Sequence, residues 1–175
     1  IFGGIVAFNR EVDEATANEM KEVFLEIVIA PRFSPAALEL YGSSQKLRNV
    51  RLLEVDLGGV DRRRQELELR KVIGGLLVQT RDCEPLDAPA RKVVTRRQPT
   101  ERERKAMEFA WRVAKHLKSN AIVLAPEDSL VGVGAGQMSR VDAARIAVLR
   151  AREHGREIRG AAVASDAFFP FRDGL

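Results

Sequence analysis

A chain of 175 residues that is 45% apolar and 31% charged can bury a sizeable core, and it is too apolar for a disordered segment. The net charge of +4 is spread among acids rather than gathered, so it does not single out a nucleic-acid surface. Arg62 to Arg64 and the pair Arg96-Arg97 have no interleaved aromatics to stack on bases and read as solvated loop charges. The lone cysteine, Cys83, rules out an intrachain disulfide framework and a cysteine metal cluster, which fits a reducing cytoplasm; zinc is not expected. No apolar run approaches the length of a membrane span, and the N-terminus shows no export signal. Beginning at Ile1 without a methionine and stopping at Leu175 just after a motif, the sequence reads as a piece of a larger polypeptide.

In chain order, Ile5 to Phe8 reads as a strand, and Asp13 caps a helix whose apolar positions Met20, Val23, Phe24 and Ile27 follow helical spacing, with Glu26 at its end. Val28 to Ala30 is a second strand. Ser34-Pro35 opens a short helix through Leu40, and Val50 to Leu57 is a third strand, so this part implies helices covering a largely parallel or mixed sheet. A polar stretch from Gly58 leads to the apolar run Val72 to Val78, broken at Gly74-Gly75, and then to a loop through Pro85, Pro89 and Arg97. Thr100 and Glu103 form a capping box for a helix ending at Lys118, with Met107, Ala110, Trp111, Ala114 and Leu117 along one face. Ala161 to Ala164 is the last strand. It runs into Ser165-Asp166 and the aromatic loop Phe168-Phe169-Pro170-Phe171.

The stretch from Lys115 to Arg145 organises the chain. It reads as a helix end, the polar pair Ser119-Asn120, a buried strand Ala121 to Ala125, a turn, and the apolar run Leu130 to Val133 that dissolves into glycines. A helix then starts at Ser139, a good N-cap whose capping box Asp142 completes, and runs to about His154 with Gly155 as its stop. Two readings of Gly132, Gly134 and Gly136 stand side by side: they let main chain approach an anion or carbonyl at a helix N-terminus, or they finish a strand where another backbone packs close. Their spacing fits neither the dinucleotide fingerprint nor the P-loop. Asn120 can donate to and accept from a carboxamide, or simply cap the preceding helix. The clustered phenylalanines likewise suit a core plug.

Five blocks in register resemble one family: FGGIVAFNREVDEATA at 2–17, IVIAPRFSPAALEL at 27–40, SNAIVLA at 119–125, VGVGAGQMSRVDAAR at 131–145 and ASDAFFPFRDG at 164–174. They are similar to AICAR transformylase, the formyltransferase half of the bifunctional purine-biosynthesis enzyme that also carries IMP cyclohydrolase. The resemblance covers essentially the whole chain, with 57–97 the least distinctive part. It implies a partial transformylase domain over 1–175, a layered α/β fold of the cytidine-deaminase-like type without zinc, 10-formyltetrahydrofolate as co-substrate, and a homodimer with active sites at the interface. It also implies AICAR contacts from Gly3, Glu26, Asn120, Arg140 and Phe168, and folate contacts from Val141 and Asp173, with Asn120 orienting the reactants.

The implied reaction moves a formyl group to an exocyclic amine whose lone pair is delocalised into a ring, so the amine is a poor nucleophile. A base, close orientation and oxyanion stabilisation are needed. The chain has His116 on a helix and His154 near an exposed helix end; neither matches the family's catalytic Lys-His pair, which precedes the FGG block, while a phosphate-binding arginine follows FRDG. Both lie outside this sequence. The alternative is a non-catalytic nucleotide-binding α/β domain of the same fold.

Overall fold

The structure, a computed structural model, describes residues 3–58, 66–82, 86, 91–169 and 171–172; Arg62 to Arg64, Cys83 and Asp173 lie outside the described residues. The chain divides into two compact units, Ile1–Cys83 and Glu84–Leu175, each with its own core. Among the described residues no helix is long and apolar enough to cross a membrane.

The first unit runs β1 (Gly4–Ala7), α1 (Glu14–Met20), β2 (Leu25–Ala30), α2 (Pro35–Ser43), β3 (Arg51–Glu54), β4 (Leu67–Val72) and β5 (Gly75–Thr80). Strands β1, β2 and β3 form a parallel sheet with β2 central, Val28 lying between Val6 and Leu52. Both helix starts follow their chemistry. The Asp13 carboxylate accepts the Thr16 N–H at 2.8 Å, and the Ser34 hydroxyl accepts the Ala37 N–H at 3.2 Å with Pro35 in the first turn. The core gathers Val12, Met20, Leu25, Val28, Phe33, Tyr41 and Leu47.

One expectation is corrected here. Helix α1 stops at Met20, Val23 and Phe24 are exposed, and Glu26 and Ile27 belong to β2 rather than to the helix end. Helical spacing over Met20 to Ile27 is a coincidence of a longer apolar run, in which Leu25 and Val28 of the central strand enter the core. β-branched Val23, Ile27, Val28 and Ile29 favour the extended form.

The second unit runs α3 (Glu101–Ala114), β6 (Ile122–Ala125), β7 (Gly132–Gly134), α4 (Arg140–Glu153) and β8 (Ala162–Ser165), its antiparallel sheet ordered β7-β6-β8. Alternation along β6 makes three layers. Val123 and Ala125 pack with Ala110 and Ala114 of α3, and Ile122 and Leu124 pack with Ala143 and Ala147 of α4. The Thr100–Glu103 capping box forms in both directions, and Ser139 accepts the Asp142 N–H at 3.4 Å. Gly155 follows α4 at φ +63°.

The expected stripe of α3 holds at Ala110 and Ala114, which are buried, and at Leu117, which packs against the same core; Ala106 joins it, whereas Met107 is 41% and Trp111 58% exposed. Small side chains let a helix lie close on a sheet. The same device, carried further, explains two glycines, since a Cβ on Gly132 would stand 2.2 Å from the Ala147 carbonyl oxygen and one on Gly134 only 1.9 Å from that of Ala143. These glycines serve the close packing of α4 on β7, so the packing reading holds for them.

Gly134→Ala should therefore destabilise the fold by about 2–3 kcal/mol or more, through displacement of α4. Gly42→Ala, in α2 with open space around its Cβ, should be neutral or stabilising by up to about 1 kcal/mol. Thermal denaturation of the two variants checks the pair; equal effects would refute the close-approach argument.

Candidate functional site

Three segments of the second unit converge at one end of the sheet: the turn before β6, the loop from β7 into α4, and the end of β8. The first two are tied by main chain. Gly136 N–H donates to the Lys118 carbonyl at 2.7 Å, Asn120 N–H to the Gln137 carbonyl at 2.9 Å, and Gln137 N–H returns to the Asn120 carbonyl at 3.3 Å. The Ser119–Asn120 peptide is cis, and Gly136, at φ +67°, makes the turn that brings Gln137 alongside.

Asn120 uses its side-chain amide here as well, Nδ2 donating to the same Gln137 carbonyl at 2.9 Å. This is neither a helix cap nor a free carboxamide. The contact fixes the orientation of the group and leaves Oδ1 as an acceptor for a donor N–H.

Arg140, the first residue of α4, is held at two atoms. Nε donates to Ser165 Oγ and Nη2 to Asp166 Oδ1, both at 2.9 Å, and the Arg140 and Asp166 side chains are only 14% and 11% exposed. Asp166 Oδ1 also accepts the Ala121 N–H at 2.9 Å. Burial works to raise the Asp166 pKa, but the Ser119 hydrogen bond, the Ala121 N–H and the Arg140 guanidinium outweigh it and bring the carboxyl down to about 2. Asp166 thus links β6, α4 and β8, and it aims the remaining N–H groups of Arg140.

Beside this cluster Val141 is half-buried in the first turn of α4, while Phe168 is 79% exposed just after β8. Asp173 lies outside the described residues. His116 and His154 are both exposed. Among the described residues no group of His, Cys, Asp and Glu side chains is arranged to hold a metal ion.

Gly3 and Glu26 meet in the first unit. Glu26 Oε1 accepts the Gly3 N–H at 2.8 Å, and its Oε2 lies 3.9 Å from Arg51 Nη1. A Cβ at Gly3 would stand 3.0 Å from Glu26 Cγ and 3.1 Å from the Phe24 ring, so a larger residue would crowd this contact. Expected at a helix end, Glu26 is instead a half-buried strand residue joining β1 to β2.

Sequence reasoning placed Ser165-Asp166 at a strand end, left open a monovalent cation near Ser119 and Asp166, and named Gln137 only at the boundary of the following helix; it did not find the contacts of Asp166 with Arg140 and Ala121. For Asp166 a signal was present: an acid immediately after the last strand, where open sheets place ligand and positioning groups. For Gln137 there was none, because its part is played by its main chain.

The carboxyl of Asp166 titrates below its ordinary 3.8 in the folded chain, so its contribution is complete above that pH and is lost as pH falls from about 4 towards about 2. Asp166→Asn should cost on the order of 2 kcal/mol at neutral pH and flatten the acid limb of the stability curve relative to the parent. Urea titrations between neutral pH and pH near 2 measure both; parallel acid limbs would show that the carboxylate is not held as described.

A family model described as the AICARFT/IMPCHase bienzyme matches residues 1–150, a span that takes in the Gly3–Glu26 pair, the Asn120–Gln137 contact and Arg140. With that match over most of its length, the chain belongs to the AICARFT/IMPCHase bienzyme family of purine biosynthesis.

Proposed function

We propose that the protein carrying this chain transfers the formyl group of 10-formyltetrahydrofolate to AICAR, giving FAICAR and tetrahydrofolate, and that it also has IMP cyclohydrolase activity. Family membership together with the fixed Asn120–Gln137–Arg140 arrangement carries this reading. The chain is then a partial transformylase domain with a cytidine-deaminase-like architecture, working in the cytoplasm as a homodimer whose active sites lie at the interface.

In that role the exocyclic amine of AICAR attacks the formyl carbon, an oxyanion forms, the bond to folate N10 breaks, N10 takes up a proton, and the amine loses one. Asn120 Oδ1 suits the carboxamide N–H beside the amine and orients it. The remaining N–H groups of Arg140 suit a carbonyl or phosphoryl oxygen, and its fork is already fixed by Ser165 and Asp166, so no reorganisation is needed on binding. The exposed ring of Phe168 is free to face the base. Glu26 suits the ribose hydroxyls beside the Gly3 backbone, and Val141 with Asp173 contacts the folate. The general base is the family's Lys-His pair, which has no counterpart in this sequence.

Two measurements test the proposal. In the complete protein, Arg140→Lys should lower kcat/KM for AICAR by at least about tenfold, because an ammonium cannot span Ser165 and Asp166 while still reaching a ligand; Asn120→Ala should do likewise with a change in melting temperature of a few degrees at most. Unaltered kinetics for both would sink the assignment. The chain of 175 residues by itself should release no tetrahydrofolate when given both substrates. Robust turnover would place the base within it, with His116 the first suspect.

A further inference from the structure

One large apolar side chain of the second unit has no structural reason to be where it is. Met138 lies in the loop from β7 into α4, directly before the N-cap Ser139, and at 102% its exposure is that of a free chain. An apolar residue at this position ordinarily packs against the fourth residue of the helix and so fixes the entry of the chain. Here that residue is Ala143, which is fully buried beside Ile122 and Leu124, and among the described residues no core cluster includes Met138. Met20, by contrast, is buried in the first core, where its sulfur accepts the Tyr41 hydroxyl at 3.5 Å.

The surroundings of Met138 in the chain are polar and committed. Gln137 holds the Asn120 amide through its carbonyl, and Arg140 is bound to Ser165 and Asp166. A fully exposed thioether chain among these groups has only a ligand left to meet.

We propose that Met138 is a binding residue for the conjugated rings of the folate co-substrate. The inference rests on the formyl-transfer reading and adds to it a residue that the resemblance does not supply. The chemistry of the two substrates decides between them. AICAR is small and polar, and its carboxamide, ribose and phosphate call for hydrogen-bonding groups such as Asn120, Arg140 and Glu26. The folate carries flat ring systems whose removal from water needs apolar surface. Among the described residues assigned to it, Val141 alone supplies such surface, half-buried in the first turn of α4 and three positions beyond Met138. A methionine suits the remainder, because its unbranched, polarisable chain follows an irregular outline and makes favourable contacts with aromatic edges.

The complete protein tests this in two ways. In initial-rate kinetics, Met138→Ala should raise KM for 10-formyltetrahydrofolate about fivefold or more, with kcat and the KM for AICAR each within about twofold of the parent. Its melting temperature should be unaltered, since so exposed a side chain carries no packing in the fold. Met138→Leu, apolar and of similar size, should restore most of the folate KM. The second measurement is a footprint. Hydrogen peroxide oxidises an exposed thioether to the sulfoxide, one oxygen passing to sulfur while water leaves, so Met138 should react ahead of the partly exposed Met107 and the buried Met20. A 5,8-dideaza analogue of the co-substrate, which lacks the oxidisable ring nitrogens, should slow that reaction about fivefold or more without protecting Met107, and AICAR alone should not slow it.

An unshifted folate KM in Met138→Ala, a rise confined to the AICAR KM, a lowered melting temperature, or protection by AICAR in place of the folate analogue would overturn the assignment. Met138 already protected in the ligand-free protein would show that protein covers it, and would overturn it as well. Absence of formyl transfer by the unsubstituted protein would refute the function on which the inference rests, a result distinct from transfer that proceeds without regard to Met138.

Discussion

The approach of α4 to β7 is the constraint on which the second unit depends. Helix and strand backbones come so close at Gly132 and Gly134 that no side chain fits between them, and Ala143 and Ala147 complete the contact. This sets the height of the first turn of α4 above the sheet, and hence the position of Arg140. From there the guanidinium reaches Ser165 and Asp166 across the sheet end. A looser helix would leave the same residues in the chain without bringing them to one place, so tight packing and site geometry are a single property here. The buried Asp166 carboxylate then locks the arrangement. It satisfies the Ala121 N–H just before β6 and a cation at once, and burying it without either would be costly.

Local chemistry was the legible part of the sequence. The caps at Asp13, Ser34, Thr100 and Ser139 and the stop at Gly155 were all readable because each depends on residues a few positions apart. Strands β1, β2, β6 and β8 were visible from short apolar runs. The end of α1 was not, since a run that suits both periods is decided by which surface covers it, and only the tertiary fold supplies that. The buried face of α3 was misread in part for a related reason. Hydrophobic size pointed to Trp111 and Met107, but the residues fully buried against the sheet are the alanines, with Phe109 and Val113 packed at their side. Of the site, Asn120 and Arg140 were found through resemblance to the family rather than through spacing. The contacts that hold them come from Gln137 main chain and from Asp166, which are 17 and 26 residues away respectively.

The two carboxylates attached to expected binding residues behave differently. Glu26 stands at the junction of β1 and β2 with a backbone N–H on one oxygen and a distant arginine on the other, so a hydroxyl-bearing ligand could compete for it. Asp166 is engaged by the Arg140 guanidinium, the Ala121 N–H and Ser119. The separation follows from location: Glu26 is half-buried in a parallel sheet, whereas Asp166 is nearly enclosed by three elements whose polar ends all face it.

The aromatic residues have a spectroscopic consequence. The chain contains one tyrosine and one tryptophan, and they fall in different units. Tyr41 is 3% exposed, with its ring edge-on to Phe33 at 6.3 Å, while Trp111 lies more than half exposed on the outer side of α3. Near-ultraviolet dichroism of the tyrosine reports loss of the first core, where the ring is held in a fixed asymmetric setting. Tryptophan emission, already that of a solvated indole in the native chain, changes little when the second core melts. A thermal scan followed by tryptophan fluorescence alone would thus miss most of the unfolding of the unit that carries Arg140, whereas far-ultraviolet dichroism of α3 and α4 would record it.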